Sequence, residues 1–498
     1  MKFFKFEDLR KYFFKPANLF AENKNYILCK YLPTSIMMTL SAYIYSLLRG
    51  VKDSILVPAL GAELISFIKF YGVFPSTIIF FVCFSKLANI LTRDKLYYVI
   101  TSFFISFFML YAFILSPNSE FLQPDLSSWA MQYPKLKYQI IMAQNWTVSL
   151  FYVMSELCGT VMLTLLFWQF ANDLYSIKEA KRTYALFGLI GQLGLVAAGL
   201  VQREISTYFI EHPYDNMAWS LTIKWMMVSI LFAGLGLMTI YWWMYKNVWP
   251  NPALCDRKHN SDKEKIRLSV LESFKYVFSS RYLWFIMLIV FCYGVGINLI
   301  ESVWKDQLRI KYFTSNSYSA FMGNFHVYFG LITICIMMFG AYILRAFKWI
   351  VAALFTPLGA GFTGAVFFTL IILQDLFGPW LNSFDISLLT MAIMVGSLQV
   401  ILFKAFNYAF VDATKEMAFI PLDRELRTKG KAAVDVIGGR FGKAFGAIMQ
   451  QLMFQFISPN LSDLTHEIFI VFIITMALWV FSVISLNKEF IKVADNQQ

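Results

Sequence analysis

Long apolar runs, each closed by a short polar or charged segment, recur along the whole chain. Crossing a bilayer takes roughly 20 apolar residues. On that measure the pattern predicts spans near residues 31–60, 64–90, 97–116, 139–172, 182–203 and 219–245. After a polar stretch, a second set is predicted near 282–304, 319–343, 346–373, 384–410, 434–458 and 464–486. Hydrocarbon offers the backbone no hydrogen-bond partner, so each span must satisfy its own N–H and C=O groups as a helix. The expected fold is an all-α polytopic membrane protein with twelve transmembrane helices. Its expected layout is a tail (1–30), a first six-helix half (31–245), a basic linker (246–281), a second half (282–486) and a tail (487–498).

Composition agrees with a membrane setting. Of 498 residues, 58% are hydrophobic and 15% charged, and the mean hydropathy is +0.58; a water-facing surface would need more polar residues. The net charge of +12 lies between the apolar runs, so it points to membrane topology and away from nucleic acid. Basic residues crowd the amino-terminal tail (Lys2, Lys5, Arg10, Lys11, Lys15, Lys24), the central linker and the even-numbered loops, for example Lys86, Arg93 and Lys95. Segments 374–385 and 458–465 hold no Lys or Arg. The positive-inside rule then puts both termini in the cytoplasm. Residues 1–30 include Glu7, Asp8 and Glu22, lack serine and have no apolar run before a cleavage site, so direct insertion into a bacterial inner membrane is expected. The six cysteines are scattered without CxxC spacing, which indicates neither a disulfide framework nor a zinc site.

Charges inside apolar runs carry the chemistry. Glu156 stands alone near the middle of the fourth span. A charge at that depth costs about 2.5–3.5 kcal/mol even on insertion scales, so such residues commonly line a pathway. A hydrogen-bonded carboxylate tying two helices is the competing reading. Span 1 closes on Leu48-Arg49-Gly50-Val51-Lys52-Asp53, and span 7 on Glu301-Ser302-Val303-Trp304-Lys305-Asp306. These cations break the loop rule, and Val51-Lys52-Asp53 aligns with Trp304-Lys305-Asp306 when span 1 is laid on span 7. That echo indicates an internal duplication. Two parallel six-helix halves joined by a basic linker is the layout of major-facilitator transporters, with the substrate at midplane between the halves. A snorkelling lysine is the alternative for Lys52. For Glu301 and Lys305, four residues apart on one helix face, it is a local ion pair at the membrane edge.

Span 11 contains Gly438-Gly439-Arg440-Phe441-Gly442-Lys443-Ala444-Phe445-Gly446. The first glycine is misplaced for a phosphate loop, and Ala444 stands where Ser or Thr would hold magnesium, so an ATPase reading is rejected. Glycines every fourth residue suit close helix packing, while Arg440 and Lys443 remain phosphate-ligand candidates. His326 lies within span 8 and is read as a buried structural histidine, with proton coupling as the alternative. His212, His259 and His466 are read as loop residues, and no metal site is expected.

Seven strings resemble the ATP/ADP translocase (nucleotide transporter) family of obligate intracellular bacteria and plastids. They are Leu48–Asp53, Phe151–Leu157, Leu166–Asn172, Glu179–Arg182, Tyr293–Lys305, Asp412–Asp423 and Lys429–Ile437, in that order across about 30–490. The resemblance implies exchange of host ATP for bacterial ADP and phosphate, with no cofactor. It also implies substrate binding by Lys52, Glu156, Glu301 and Lys443, with Arg49, Asp53, Lys305 and Arg440 as secondary substrate or gate residues. The family's usual Glu-Leu-Trp-Gly reads Glu156-Leu157-Cys158-Gly159 here, and Ala444-Phe445 replace small residues after the span 11 lysine. Relatives include carriers of GTP, of mixed nucleotides with protons, and of NAD, so a broader nucleotide importer is the alternative.

A membrane enzyme would cluster catalytic groups in one interfacial loop, and a structural protein would not repeat a lysine pattern across halves. A secondary antiporter, not an enzyme, is therefore expected. Its partners are the nucleotide and the bilayer, it acts as a monomer, and the two halves rock about a central site.

Overall fold

The computed structural model describes residues 27–212, 217–251, 280–382, 387–422 and 437–495, with a few single positions between them. The amino-terminal residues 1–26 and linker residues 255–279, including His259, lie outside the described residues. We number the long helices α1 (Leu32–Leu60), α2 (Leu64–Ile90), α3 (Arg93–Leu115), α4 (Trp146–Leu174), α5 (Ile177–Glu211) and α6 (Ala218–Asn247). They continue as α7 (Arg281–Lys311), α8 (Ser315–Ala346), α9 (Trp349–Ile372), α10 (Leu388–Phe419), α11 (437–456) and α12 (Thr465–Asp495).

Among the described residues, ten helices, α2–α10 and α12, are long and apolar enough to cross a membrane. The two other spans predicted from the sequence correspond to α1, which is rich in Ser, Thr and Tyr and carries three charges, and to the shorter α11. Large apolar side chains such as Ile79, Phe232 and Phe362 point outward, as lipid contact requires.

Local chemistry fixes the helix ends. Ser176 and Glu179 form a reciprocal capping box at the start of α5, with Glu179 accepting from the Ser176 N–H at 2.7 Å. Thr314 caps α8 by accepting from the Ser317 N–H at 3.3 Å. Gly61 ends α1 at φ 95°, where a Cβ would lie 2.3 Å from a Glu63 carboxylate oxygen, so the α1–α2 turn requires glycine.

Helix α1 keeps its expected extent, its backbone ladder running through Arg49, Lys52 and Asp53 to Leu60. Other boundaries shift: α7 continues past 304 to Lys311. The fourth span begins at Trp146, preceded by a separate short helix, Lys137–Gln144. His466 lies in the first turn of α12, not in a loop.

Among the described residues, the first six helices meet the last six along two main seams, one of them made by α1 and α5 against α8. There α5 and α8 touch backbone to backbone: a Cβ on Gly199 would lie 2.6 Å from the Gly323 carbonyl oxygen. In the other, α2 lies against α11. His326 is buried in the first seam, 3.3 Å from the Gln202 amide oxygen, the structural placement expected for it. Gly438, Gly442 and Gly446 press on α7 next to Val290, Phe291 and Asn298, so they serve helix packing.

Candidate functional site

At the centre of the bundle a cavity of about 120 Å³ opens between α1, α2, α4, α7, α10 and α11. Its lining holds six cations, Arg49, Lys52, Lys69, Lys305, Lys404 and Lys443, against two carboxylates, Glu156 and Glu301. Because α1 and α7 pass through this layer without breaking, Arg49, Lys52, Glu301 and Lys305 lie well inside the bundle. Lys52 and Lys305 are buried, so Lys52 does not snorkel to an interface and Glu301–Lys305 is not an edge pair.

The pairing crosses between halves. Asp53, fully buried, accepts from Lys52 at 3.0 Å and from Lys305 of α7 at 2.8 Å. Glu301 of α7 accepts from Arg49 of α1 at 3.0 Å and also from Lys404 of α10. Each bridging carboxylate thus takes a cation from its own half and one from the other. Lys52 makes a further contact with Glu156 at 3.1 Å, and its ammonium lies 3.9 Å over the Tyr152 ring. Lys69 donates to Asn298 at 2.6 Å, and the Asn298 amide donates to the Lys443 carbonyl at 2.9 Å.

Of the site residues expected from sequence, Arg49, Lys52, Glu156, Glu301, Lys305 and Lys443 line the cavity, with Asp53 directly behind it. The side chain of Arg440 lies outside the described residues. Asp306, the repeat partner of Asp53, does not join the cluster; it accepts from Ser462 at 2.8 Å. Lys69, Lys404 and Asn298 were missed. Both lysines are lone cations inside apolar runs, the signal that singled out Glu156.

The two departures from the family pattern fall outside the lining: Cys158 is buried among apolar side chains, and Phe445 packs on Phe291 at 5.2 Å. Four of the helices bearing these charges have a π-helical turn beside them: Ile68–Val73 around Lys69, Thr160–Phe167 after Glu156, Asn407–Val411 after Lys404, and Ile437–Phe441 before Lys443. Such turns rotate the following residues relative to an α-helix and are frequent at functional sites.

A further group of contacts closes the α1–α2 end. Gln451 of α11 donates to the Ser66 carbonyl at 2.9 Å, Tyr138 donates to the Pro459 carbonyl, and Glu63 accepts from the Leu461 N–H at 3.4 Å. Arg309 approaches Glu63 at 3.8 Å.

The same architecture occurs in solved secondary transporters. The inward-open conformation of the xylose transporter XylE from E. coli matches with a TM-score of 0.56 at 14% identity, covering 92% of this chain and 94% of that one. A bacterial homologue of the iron transporter ferroportin, in an inward-facing state, matches with a TM-score of 0.54 at 14% identity, covering 93% and 98%. These likenesses concern the fold, which is that of the major-facilitator transporters. By sequence, ADP,ATP carrier protein 1 of Rickettsia bellii is 40% identical over 476 residues, covering 94% of this chain and 95% of the relative. ADP,ATP carrier protein 3 of Rickettsia felis is 37% identical over 475 residues, covering 93% and 94%. This is a membrane transporter rather than an enzyme, and with residues 5–490 matching its sequence profile, the chain belongs to the TLC ATP/ADP transporter family.

Proposed function

We propose that this chain exchanges ATP for ADP across a bacterial inner membrane, drawing ATP from a host cytoplasm and returning ADP with phosphate. The observation that carries this reading is the cavity lining, in which six cations face two carboxylates. A nucleotide with three or four negative charges leaves water at a large cost unless cations replace its hydration. The surplus of positive charge suits such a ligand and is unfavourable for a neutral solute or a metal cation.

The cavity's 120 Å³ is below the ~300 Å³ at which ligand pockets commonly begin. In this contracted state the carboxylates occupy the cations. An entering polyphosphate competes with Asp53, Glu156 and Glu301 for Lys52, Lys305, Arg49 and Lys404, and in doing so parts the bridges between halves. The six-helix units 31–245 and 282–486 then rock about the α5–α8 seam, with both termini cytoplasmic and one chain sufficient for the cycle. No cofactor enters the scheme. Exchange follows because the empty carrier, held by its own bridges, reorients slowly, whereas nucleotide substitutes for them in either direction.

The test is uptake of labelled ATP into proteoliposomes of the purified protein, either preloaded with ADP or empty, with GTP, NAD and unlabelled ADP as competitors. Uptake that requires internal ADP and is blocked only by ADP or ATP is expected. Equal uptake into empty vesicles, or equal competition by GTP or NAD, would instead assign a net or broader nucleotide importer.

A further inference from the structure

The central cavity is layered along the helix axes. On α1, Tyr45 precedes Arg49 by one turn, and Lys52 follows by another. On α7, Tyr293 lies about two turns before Glu301 and three before Lys305. Helix α10 runs the opposite way and places Tyr408 one turn beyond Lys404. Tyr45, Tyr293 and Tyr408 therefore all lie on the same side of the charged layer, away from the α1–α2 end, and all three line the cavity.

Two of the rings are set by neighbours. Gly159 of α4 makes room for Tyr45, since a Cβ there would fall 2.1 Å from the ring. Tyr293 stands edge-on to Phe403, with centroids 5.4 Å apart at 89°, and is backed by Trp479 at 6.2 Å. Among the described residues, none of the three rings contacts another and none of their hydroxyls donates a hydrogen bond. Three rings, two of them held by neighbours and Tyr408 more open, with phenol groups that donate no hydrogen bond, beside a cationic layer fit a ligand that is flat and apolar at one end and polyanionic at the other.

We infer that Tyr45, Tyr293 and Tyr408 form the nucleobase subsite, and that the phosphates lie toward Lys52, Lys69 and Lys305. The inference rests on the nucleotide reading above and adds the residues that select the base and the direction in which the nucleotide is seated. Base–aromatic stacking is sequence-tolerant, so the rings supply affinity for any base and the hydroxyls supply preference among bases.

Competition binding on the purified full-length protein separates the two ends of the ligand. Labelled ATP is displaced by unlabelled ATP, GTP, UTP and inorganic tripolyphosphate in the wild type and in Tyr45→Ala, Tyr293→Ala and Tyr408→Ala. Each substitution is expected to weaken ATP about tenfold while leaving tripolyphosphate within twofold. The Tyr→Phe counterparts should retain ATP affinity and lose discrimination against GTP and UTP. Gly159→Ala keeps every ring and displaces only Tyr45, so it should reproduce the Tyr45→Ala pattern even if an alanine variant folds poorly. Parallel weakening of ATP and tripolyphosphate, or unchanged ATP affinity in all three alanine variants, would overturn the subsite. Wild-type protein that binds tripolyphosphate as tightly as ATP would also overturn it while leaving a polyanion carrier; wild-type protein that binds neither would overturn the nucleotide reading itself.

Discussion

Replacing Asp53 with asparagine should open the α1–α2 end of the empty carrier. Asp53 holds Lys305 at 2.8 Å and Lys52 at 3.0 Å, and all three side chains are at most 5% exposed. At an effective dielectric of 20, each contact is worth about 6 kcal/mol before desolvation is counted. Removing one member of such a buried group costs about 3–5 kcal/mol, because the remaining ammonium groups lose compensation in a place they cannot leave. The Lys305 link joins the two halves, so rocking that end open would have to part it, and most of the loss is expected to fall on the closed state. At about 1.4 kcal/mol per decade, the closed-to-open ratio should fall by about two to three orders of magnitude. Paired cysteines replacing Ser66 and Gln451, whose backbone and side chain already meet at 2.9 Å, report that closure through disulfide yield in a background without native cysteines. High yield is expected with Asp53 intact, and low yield with Asp53→Asn. Adding Lys305→Met should restore much of the yield, since deleting both partners removes the uncompensated charge. Unchanged cross-linking in Asp53→Asn, with Lys305→Met acting independently, would refute the bridge as the closing element.

Other outcomes follow from the same geometry. Lys69→Met and Lys404→Met should each raise the apparent KM for ATP at least tenfold and for AMP much less, measured by exchange in proteoliposomes, because each removes a cation from the phosphate end. Arg309→Ala should change exchange less than twofold, since that guanidinium is 40% exposed and 3.8 Å from Glu63, a geometry in which an ion pair contributes about 0–1 kcal/mol. Gly323→Val should lower the melting temperature of the detergent-solubilised protein and abolish exchange; a Cβ there would lie 2.6 Å from the Arg203 backbone nitrogen, and overpacking of this kind costs about 1–3 kcal/mol.

Much of this arrangement could be read from residue order, because a bilayer makes hydropathy nearly a map of the fold. Glu156 announced itself by its isolation, and the repeat around Lys52 and Lys305 gave the two halves. Lys69 and Lys404 obey the same rule of isolation but belong to no repeat, and they sit in runs whose apolar character spanning alone explains. The pairings themselves were out of reach. Asp53 and Lys305 are 252 residues apart, and nothing local distinguishes a lysine that will pair with Glu301 four positions earlier from one that will cross to another helix. Hydropathy carries α1 through its three charges to residue 60, yet it does not show the partners that α7 brings to them. The π-helical turns have no composition signature either.

The crossed bridges also bear on how a duplicated scaffold can serve a lopsided cargo. Two identical halves would confront a bound molecule with the same surface twice, and a molecule with unlike ends could then settle either way round. Here the copies have diverged at the positions that matter: Asp53 lies among the central cations while its counterpart Asp306 is turned to Ser462, and Glu301 corresponds to the apolar Leu48. The architecture keeps its twofold relation so that the halves can swing alike, while the chemistry at the axis has lost it, leaving a seat with a distinct head and foot.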